Sequence, residues 1–480
     1  MKRSAGLAVA LVAMAALTGC ASVSPKGGFA EVEQLVGQRL EKQVHWYQGT
    51  PEDQEAAEKV GKLLAAELSL DSAVQIALLN NRSLQASYEE LGVAQADLVQ
   101  AGLLRNPVFF ASARDPNGSA LTTNTELGVV QDFLDLLVRP ARKRISALEF
   151  DETKLRVADA VLVLAADVKA SYYTLQASLQ VAEMLEVIAR AAEAAYEFAR
   201  RQGAAGTLND LDLASQEGLY VEARIDLVRA RATVVAGHER LNRLLGVWGA
   251  DTTWTVSSSL PPIPEREPPL GELEALAVVN RLDLAAARLE VEQLARALQL
   301  TVRWRYVAVA EVGISTEKDA DGLRVTGPSL AIELPIFDQG QARVARTQAL
   351  SRRSRQRMMA LAIDIRSEVR EARSRLLVDR HLARQYEKVL IPIRERVVAE
   401  ALKHYNFMLL GVYRLLEAKR DEVVAYREYI EATRDYWLAR TELELAVGGS
   451  LVVDSLSLDQ AGETAPPTPE GGDWHEHHGP

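Results

Sequence analysis

One uninterrupted helical pattern constrains this chain more than any other feature. From Arg142 to Gln202 the sequence contains neither proline nor glycine, and its apolar residues recur at spacings of three and four. This spacing is typical of helices that pack along a coiled-coil seam. At about 1.5 Å per residue such a helix would be on the order of 90 Å long, so the sequence predicts an elongated molecule.

The pattern of helices occurs twice along the chain. A first helical segment runs from Leu70 to Leu104, with Ser69 or Asp71 as its cap. Residues 270–310 align with residues 70–110 without a gap. Such self-similarity indicates an internal repeat.

Each half continues with a long helix and then a shorter one. Gly203 and Gly206 should end the long helix of the first half, and Pro392 should kink or break that of the second. Two short helices stacked end to end would span as far as one long helix. We therefore expect each half to form two rods of equal length. The remaining expected helices run from Thr207 or Asn209 to Leu245, from Gln341 to Leu410 and from Tyr413 to Val447.

Strand patterns lie between the first helical segment and the long helix of each half. Residues about 107–133 and about 306–337 each indicate a strand, a turn-rich loop and a second strand. In the last strand, Ile332 falls on an apolar face and Glu333 on a polar one. A transmembrane β-barrel requires this alternation, with lipid outside and water inside, although a water-soluble hairpin with one buried face shows it too.

The strands of one chain are too few to close around a pore. An open strand edge is not tolerated in lipid, because its backbone groups would lack hydrogen-bond partners. If the strands enter a membrane, the chain must therefore pair with copies of itself, as a dimer or a trimer.

The N-terminus resembles the signal of a bacterial lipoprotein. Lys2 and Arg3 precede an apolar run from Leu7 to Leu17, and Leu-Thr-Gly follows before Cys20. In such a lipobox the cysteine becomes the first mature residue and its thiol carries a diacylglycerol; the alternative is an ordinary signal peptide that happens to end at a cysteine. Ala21 in the next position implies sorting to the outer membrane.

Composition and motifs exclude several functional classes. The chain has a formal net charge of -11 and no concentrated basic stripe, so it is a poor candidate for binding nucleic acid. Its one cysteine cannot form an internal disulfide. No nucleophile, phosphate-loop or zinc-site pattern is present, so we expect no enzymatic activity and no cofactor beyond the covalent lipid.

The C-terminal tail contains a histidine cluster. His475, His477 and His478 lie in a Pro- and Gly-rich segment and could bind Cu(II), Ni(II) or Zn(II). A flexible, solvated tail is the alternative interpretation.

Three stretches in this arrangement resemble a known family. They are ALLNNRSLQASYEELGVAQADLVQAGLLRNP, LPIFDQGQA and GTLNDLDLA, set in two helix–hairpin–helix halves joined by a Pro-rich linker. The sequence is similar to the TolC family of outer-membrane factors, and more narrowly to the lipidated, CzcC-like members that serve heavy-metal and related RND efflux. The resemblance covers roughly residues 65–450.

The resemblance implies a mainly α-helical fold with transmembrane β-strands. A homotrimer would form a twelve-stranded barrel in the outer membrane, continued by a long α-helical barrel in the periplasm. Its partners would be a periplasmic adaptor (membrane fusion protein), an inner-membrane RND-type pump and outer-membrane lipid. The expected function is that of a passive conduit for exported solutes, among which heavy-metal ions are a candidate.

The resemblance also implies a gate at the periplasmic tip. The family often has two acids one turn apart there; Glu417 matches one of them, and Arg414 stands where the other would be. Three copies of each could close the tip by ion pairs, or both could be solvated surface charges. Asp421, Asp210 and Asp212 are the further gate candidates.

The alternative function is that of a lipid-anchored periplasmic coiled-coil adaptor or a structural lipoprotein.

These inferences divide the chain into six segments. The segments are a signal peptide at 1–19, a lipidated N-terminal segment at 20–68, a first repeat at 69–250, a Pro-rich linker at 251–270, a second repeat at 271–450 and a histidine-containing tail at 451–480.

Overall fold

The protein consists of two helical hairpins that share one small β-sheet. The structure, a computed structural model, describes residues 22–115, 123–267, 271–307 and 309–449. The lipobox cysteine Cys20 and the histidines of the tail lie outside these residues.

The first repeat follows two N-terminal helices. Its long helix has 72 residues and its shorter partner has 36. The two N-terminal helices are α1 (Phe29–Leu40) and α2 (Pro51–Leu64). The elements of the first repeat are α3 (Leu70–Asn80), α4 (Arg82–Gly102), β1 (Val108–Arg114), β2 (Asn124–Asp132), α5 (Phe133–Ala204) and α6 (Asp210–Leu245).

The second repeat has the same order of elements. Its final helix has 36 residues, as α6 does. Its elements are α7 (Leu273–Asn280), α8 (Leu282–Arg303), β3 (Ala310–Lys318), β4 (Arg324–Ile332), α9 (Gln341–Gln385), a π-helical turn (Tyr386–Leu390), α10 (Ile391–Asn406) and α11 (Val412–Val447).

The first helical segment differs from its prediction as one helix. Ser69 caps α3 by accepting a hydrogen bond from the backbone nitrogen of Ser72. The chain then breaks at Asn81, whose backbone is extended (φ -63°, ψ 121°) and whose side chain caps α4 through the nitrogen of Leu84. Asparagine competes well for backbone hydrogen bonds, so an apolar pattern that continues through it conceals the break.

The two long helices also depart from their predicted bounds. Helix α5 begins at Phe133 rather than Arg142, because Asp132 caps it and Pro140 is accommodated near its start. In the second repeat the helix is interrupted by the π-helical turn before Pro392, and it ends at Asn406 rather than Leu410. Proline cannot donate a hydrogen bond to the preceding turn, which favours such a local change in the ladder.

Four antiparallel strands form one sheet in the order β1-β2-β3-β4. The two hairpins are joined where β2 pairs with β3, with Val129 opposite Ile314 and Gln131 opposite Val312. The sheet is therefore built from both repeats, and β1 and β4 are its edge strands.

Corresponding turns close the two repeats. Gly246 and Gly448 end α6 and α11 in the left-handed region, with φ 69° and 92°. A Cβ atom on Gly246 would lie 2.6 Å from the carbonyl oxygen of Asn80, and one on Gly448 would lie 3.0 Å from the carbonyl carbon of Asn280. Glycine permits both the dihedral angles and the close approach, so the duplication extends to the packing of these turns.

The described part of the Pro-rich linker, residues 251–267, packs against helices of both repeats. Gln176 of α5 donates to the carbonyl oxygens of Ser257 and Ser259 at 3.2 and 3.1 Å. Farther along, Trp437 of α11 donates from its indole nitrogen to the carbonyl oxygen of Pro261 at 3.0 Å. The linker is thus held by side chains of both repeats.

Candidate channel elements

The sheet has one face that is apolar and exposed in the protomer. The pairing register places Val129 opposite both Phe109 and Ile314, and it places Val312 opposite Leu330. All five side chains are exposed. A sheet face of this kind would need another apolar surface to cover it in water.

The opposite face of the sheet is polar. Glu126 lies directly opposite Glu317, and Asp132 lies opposite Glu311. Asn124 donates to the carboxylate of Glu317 at 2.8 Å. Carboxylates directly opposite one another repel, which suits a face in contact with water better than a buried one.

Ile332 and Glu333 lie at the end of β4. Ile332 pairs with Ala310 and is 54% exposed. The next residue, Glu333, donates its backbone nitrogen to Val309 at 3.2 Å. Ile332 belongs to the same face as Leu330, the apolar one, because strand side chains alternate between faces.

The two gate candidates Arg414 and Glu417 lie on the first turns of α11. A guanidinium nitrogen of Arg414 is 3.1 Å from a carboxylate oxygen of Glu417, and both side chains are largely exposed. Within one protomer these charges therefore pair with each other, as residues three apart on a helix can.

The other candidates have different partners. Asp421 forms an ion pair at 2.7 Å with Arg394, which links α11 to α10. At the other tip, Asn209 caps α6 by accepting from the nitrogen of Asp212, and it donates to the carboxylate of Asp212 at 2.8 Å. Asp210 is exposed in the first turn of α6. Both of these aspartates lie where the helix dipole stabilises negative charge.

The turn between α10 and α11 has a feature that the sequence analysis missed. Phe407, Met408 and Leu409 are exposed there, and Met408 is 94% exposed with φ 58°. A non-glycine residue in the left-handed region is uncommon. Four consecutive large apolar residues before Gly411 were a signal in the sequence, but they did not specify the backbone conformation.

A half-buried carboxyl group lies where the two repeats meet. Asp159 of α5 is near Arg281 and Asp283 of the second repeat. Burial and the charge of Asp283 raise the pKa of Asp159 to about 6, although Arg281 opposes this. Arg281 itself forms ion pairs with Asp283 at 2.6 Å and with Glu368 at 2.9 Å.

Metal ligands and apolar helices are the remaining features of the described residues that bear on function. In the part of the chain that the structure describes, no group of three or more His, Cys, Asp or Glu side chains could hold a metal ion. None of the described helices combines the length and apolar character needed to cross a membrane.

Comparisons with known proteins agree with this architecture. Residues 73–247 match the family described as outer membrane efflux protein. The chain is 22% identical over 392 residues to the cobalt-zinc-cadmium resistance protein CzcC of Cupriavidus metallidurans, covering 80% of this chain and 91% of that protein.

Solved structures show the same fold. A structure of CusC matches with a TM-score of 0.68 and 17% identity, covering 79% of this chain and 92% of that one. The CmeC outer membrane channel of Campylobacter jejuni matches with a TM-score of 0.70 and 15% identity, covering 88% and 92%. The chain is therefore similar to outer membrane efflux proteins over residues 73–247, to CzcC over 80% of its length, and in fold to CusC and CmeC, which agrees with the TolC-like and CzcC-like resemblance of its sequence.

Proposed function

We propose that this protein is the outer-membrane channel of a tripartite efflux system and acts as a passive trimeric conduit. The observation that carries the proposal is the four-stranded sheet, which joins the two helical hairpins and exposes an apolar face. Its opposite face bears Glu126, Glu311 and Glu317. An apolar exterior and a polar interior are what a barrel needs in lipid.

The edges of this sheet require pairing with other copies of the chain in a membrane, and the number three is taken from the family resemblance. Strands β1 and β4 each pair on one side only within the sheet. Three copies joined edge to edge would close twelve strands into a barrel without a free edge, and the hairpins would continue the barrel into the periplasm. No enzymatic step is needed, since solute crosses a conduit down its gradient.

The partners and cargo are inferred from the relatives. Under this proposal the tips of the hairpins meet a periplasmic adaptor, and an inner-membrane RND-type pump supplies the solute. Heavy-metal ions are the favoured cargo, because the relative that matches over 80% of this chain is named for resistance to cobalt, zinc and cadmium.

The lipid on Cys20 is proposed as a second anchor. Residues 1–19 would be removed as a signal peptide, and the lipidated segment would run from Cys20 to residue 68. Each buried CH₂ of the acyl chains contributes about 0.8 kcal/mol to membrane binding. The barrel would nevertheless hold the protein in the membrane without it.

The histidine tail at 451–480 is proposed as a metal-capture segment through His475, His477 and His478.

The experiment removes the lipid and keeps the barrel. Cys20→Ser, placed behind a non-lipoprotein signal peptide, should still reach the outer-membrane fraction as heat-modifiable trimers. The lipidated wild type is the control, and metal accumulation in cells with and without the channel reports its cargo. If the unlipidated variant were a soluble periplasmic protein, a lipid-anchored coiled-coil adaptor or structural lipoprotein would replace the channel proposal.

A further inference from the structure

We propose that a belt of cations where the sheet meets the helices binds the phosphate headgroups of anionic phospholipids. The belt consists of Lys143 and Arg144 on α5 and Arg343 and Arg346 on α9. The inference rests on the proposed function, because it requires the sheet to lie in a membrane.

The start of α5 has an ordered sequence of exposed side chains. Phe133, Leu136 and Leu137 are exposed directly after β2, and Lys143 and Arg144 are exposed farther along the same helix. Their spacing places all five on neighbouring positions of one helical face. At about 1.5 Å per residue, the cations lie roughly 15 Å along the helix from Phe133.

In the second repeat, exposed apolar side chains after β4 are likewise followed by exposed cations. Leu334, Ile336 and Phe337 are exposed after β4, and Phe337 is 92% exposed. Arg343 and Arg346 follow on the first turns of α9, and both are exposed. Two independent segments thus place apolar side chains next to the sheet and cations beyond them.

These apolar side chains continue the apolar face of the sheet. Leu127 and Val129 lie on that face of β2, and Phe133 begins α5 directly after the strand. Leu330 and Ile332 lie on it in β4, followed by Leu334. A membrane that covers the sheet would therefore cover these residues as well, and its headgroup layer would begin beside them.

Side-chain direction brings the cations toward that layer. Both α5 and α9 begin at the sheet, and helical side chains tilt toward the helix N-terminus. Long cationic side chains can keep their methylene groups on apolar surface while the charge reaches the headgroups. The methylene groups of Lys143 lie beside α4, since Cδ would be 3.4 Å from a Cβ atom added at Gly102.

The belt cations are free to take an external anion, unlike their neighbours. Arg142 is held by the buried carboxylate of Asp135 at 2.7 Å, and Arg105 pairs with Asp132 at 3.2 Å. Within the described ranges 22–115, 123–267, 271–307 and 309–449, no carboxylate forms an ion pair with any of the four belt residues. The same region thus contains internally paired cations and unpaired, outward-reaching ones.

Charge is distributed unevenly between this region and the rest of the chain. Residues 102–107, 132–146, 300–307 and 333–348 contain nine Lys and Arg against four Asp and Glu. The whole chain has 55 Lys and Arg residues against 66 Asp and Glu residues. A local excess of cations beside an apolar surface, in an acidic protein, favours an anionic membrane surface as its partner.

The test measures the lipid preference of the purified full-length trimer. Its thermal midpoint in detergent is titrated with short-chain phosphatidylglycerol, phosphatidylcholine or inorganic phosphate. The wild type should be stabilised preferentially by phosphatidylglycerol, and phosphate alone should have little effect. The variant Lys143→Gln, Arg144→Gln, Arg343→Gln, Arg346→Gln should lose the preference, with the apparent affinity falling about fivefold per neutralised cation at low salt.

Two further variants control for charge and folding. Gln substitutions at Arg190, Arg201, Arg224 and Arg420 remove the same charge from exposed positions on the long helices away from the sheet, and they should keep the preference. A charge-conserving variant, Lys143→Arg with Arg144, Arg343 and Arg346→Lys, should also keep it. If the four-residue variant does not fold, the pair Lys143→Gln, Arg144→Gln should show a smaller loss.

The outcomes separate this inference from the proposed function. Equal responses of the wild type to both lipids, a response to phosphate that matches phosphatidylglycerol, or an unchanged preference in the belt variant would overturn the belt. Conductance in planar bilayers of phosphatidylcholine is measured in parallel. Conductance without lipid preference would leave the channel intact and reject the belt alone, whereas a wild type that never inserts would reject both.

Discussion

The two repeats share their order of elements but differ in the continuity of their long helices. Helix α5 runs unbroken for 72 residues, whereas its counterpart is divided by the turn Tyr386–Leu390 into α9 and α10. The shorter helices are equal at 36 residues each. A π-helical turn often marks a functional irregularity, so we expect conformational change at the tips to occur mainly in the second hairpin.

Contacts near the tips agree with this difference. In the second hairpin, Arg394 pairs with Asp421 and the hydroxyl of Tyr426 donates to Glu395, so charged and polar bonds join α10 to α11. In the first hairpin, Tyr196 and Tyr220 stack with ring centroids 5.5 Å apart. Polar bonds can be exchanged for water or for a partner more readily than a stacked aromatic pair, because their net contribution is small.

The cores of the two repeats also differ. The N-terminal helices pack on the first repeat, where Phe29 and Trp46 lie close to Tyr88 of α4. The core of the second repeat is smaller and is built around Leu376 and Tyr436. The elements are therefore duplicated, but the two repeats do not have equal cores.

The largest expected effect tests the extra core of the first repeat. Trp46 is 2% exposed and donates from its indole nitrogen to Glu89 at 3.0 Å. Trp46→Ala should lower the free energy of unfolding by about 3–5 kcal/mol, because it leaves a large cavity. Trp248, which is 81% exposed, is the matched control. Trp248→Ala should change the free energy of unfolding, measured by chemical denaturation, by less than about 0.5 kcal/mol. Equal effects of the two substitutions would contradict the conclusion that the N-terminal segment adds to the core of the first repeat.

The next effect tests the two faces of the sheet in the second repeat. Arginine on the lipid face near the membrane midplane costs roughly 2–4 kcal/mol, whereas the lumen tolerates charge. Ile332→Arg should therefore reduce the yield of trimers in outer membranes more than Glu333→Arg does. Normal and equal yields of both variants would contradict the assignment of Ile332 to lipid.

A smaller effect concerns the carboxyl group between the repeats. The pKa of Asp159 is raised to about 6 in the fold, so its ionised form is disfavoured there. The loss of folding free energy caused by ionising Asp159 is absent below the pKa of the unfolded state. This loss grows as the pH rises through about 4 to 6 and is constant above that range. Asp159→Asn should stabilise the protein at neutral pH by at most about 3 kcal/mol, and this gain should vanish in acid.

Thermal unfolding between pH 4 and pH 8 checks this expectation. Asp167→Asn, on an exposed position of the same helix, is the control. A gain at Asp159 that did not depend on pH would show that titration of its carboxyl group is not the cause.

The smallest effect on stability is expected at the tip. The Arg414–Glu417 pair is exposed, so its contribution to stability should be about 0.2–1 kcal/mol. If three copies meet at the channel axis, Arg414→Glu, and less strongly Glu417→Lys, should raise single-channel conductance without lowering trimer yield. Unchanged conductance in both would leave them as surface charges and direct the search to Asp210, Asp212 and Asp421.

Much of the fold was predictable because periodic patterns are local. The duplication, the coiled-coil helices and the alternation of the strands all follow from residue spacing. The break at Asn81 was not predicted, because it depends on which backbone nitrogen the asparagine side chain binds. At Pro392 the sequence predicted an irregularity of the helix, but not its π-helical form at Tyr386–Leu390.

The candidate site was less predictable than the fold. The sequence identified Arg414 and Glu417, but their pairing within one protomer depends on rotamers that the spacing only permits. The raised pKa of Asp159 was missed, since its neighbours Arg281 and Asp283 come from the other repeat. Long-range packing of this kind leaves no periodic signal in the sequence.

Single-channel recording of the purified wild-type protein tests the central claim most directly. A trimer that inserts its sheet into lipid should add discrete ion-conducting steps to a planar bilayer without any energy source. The Ile332→Arg variant, matched in concentration, should add fewer. A wild type that binds the bilayer through its lipid but never conducts, together with a soluble unlipidated form, would contradict the account and support a periplasmic coiled-coil lipoprotein.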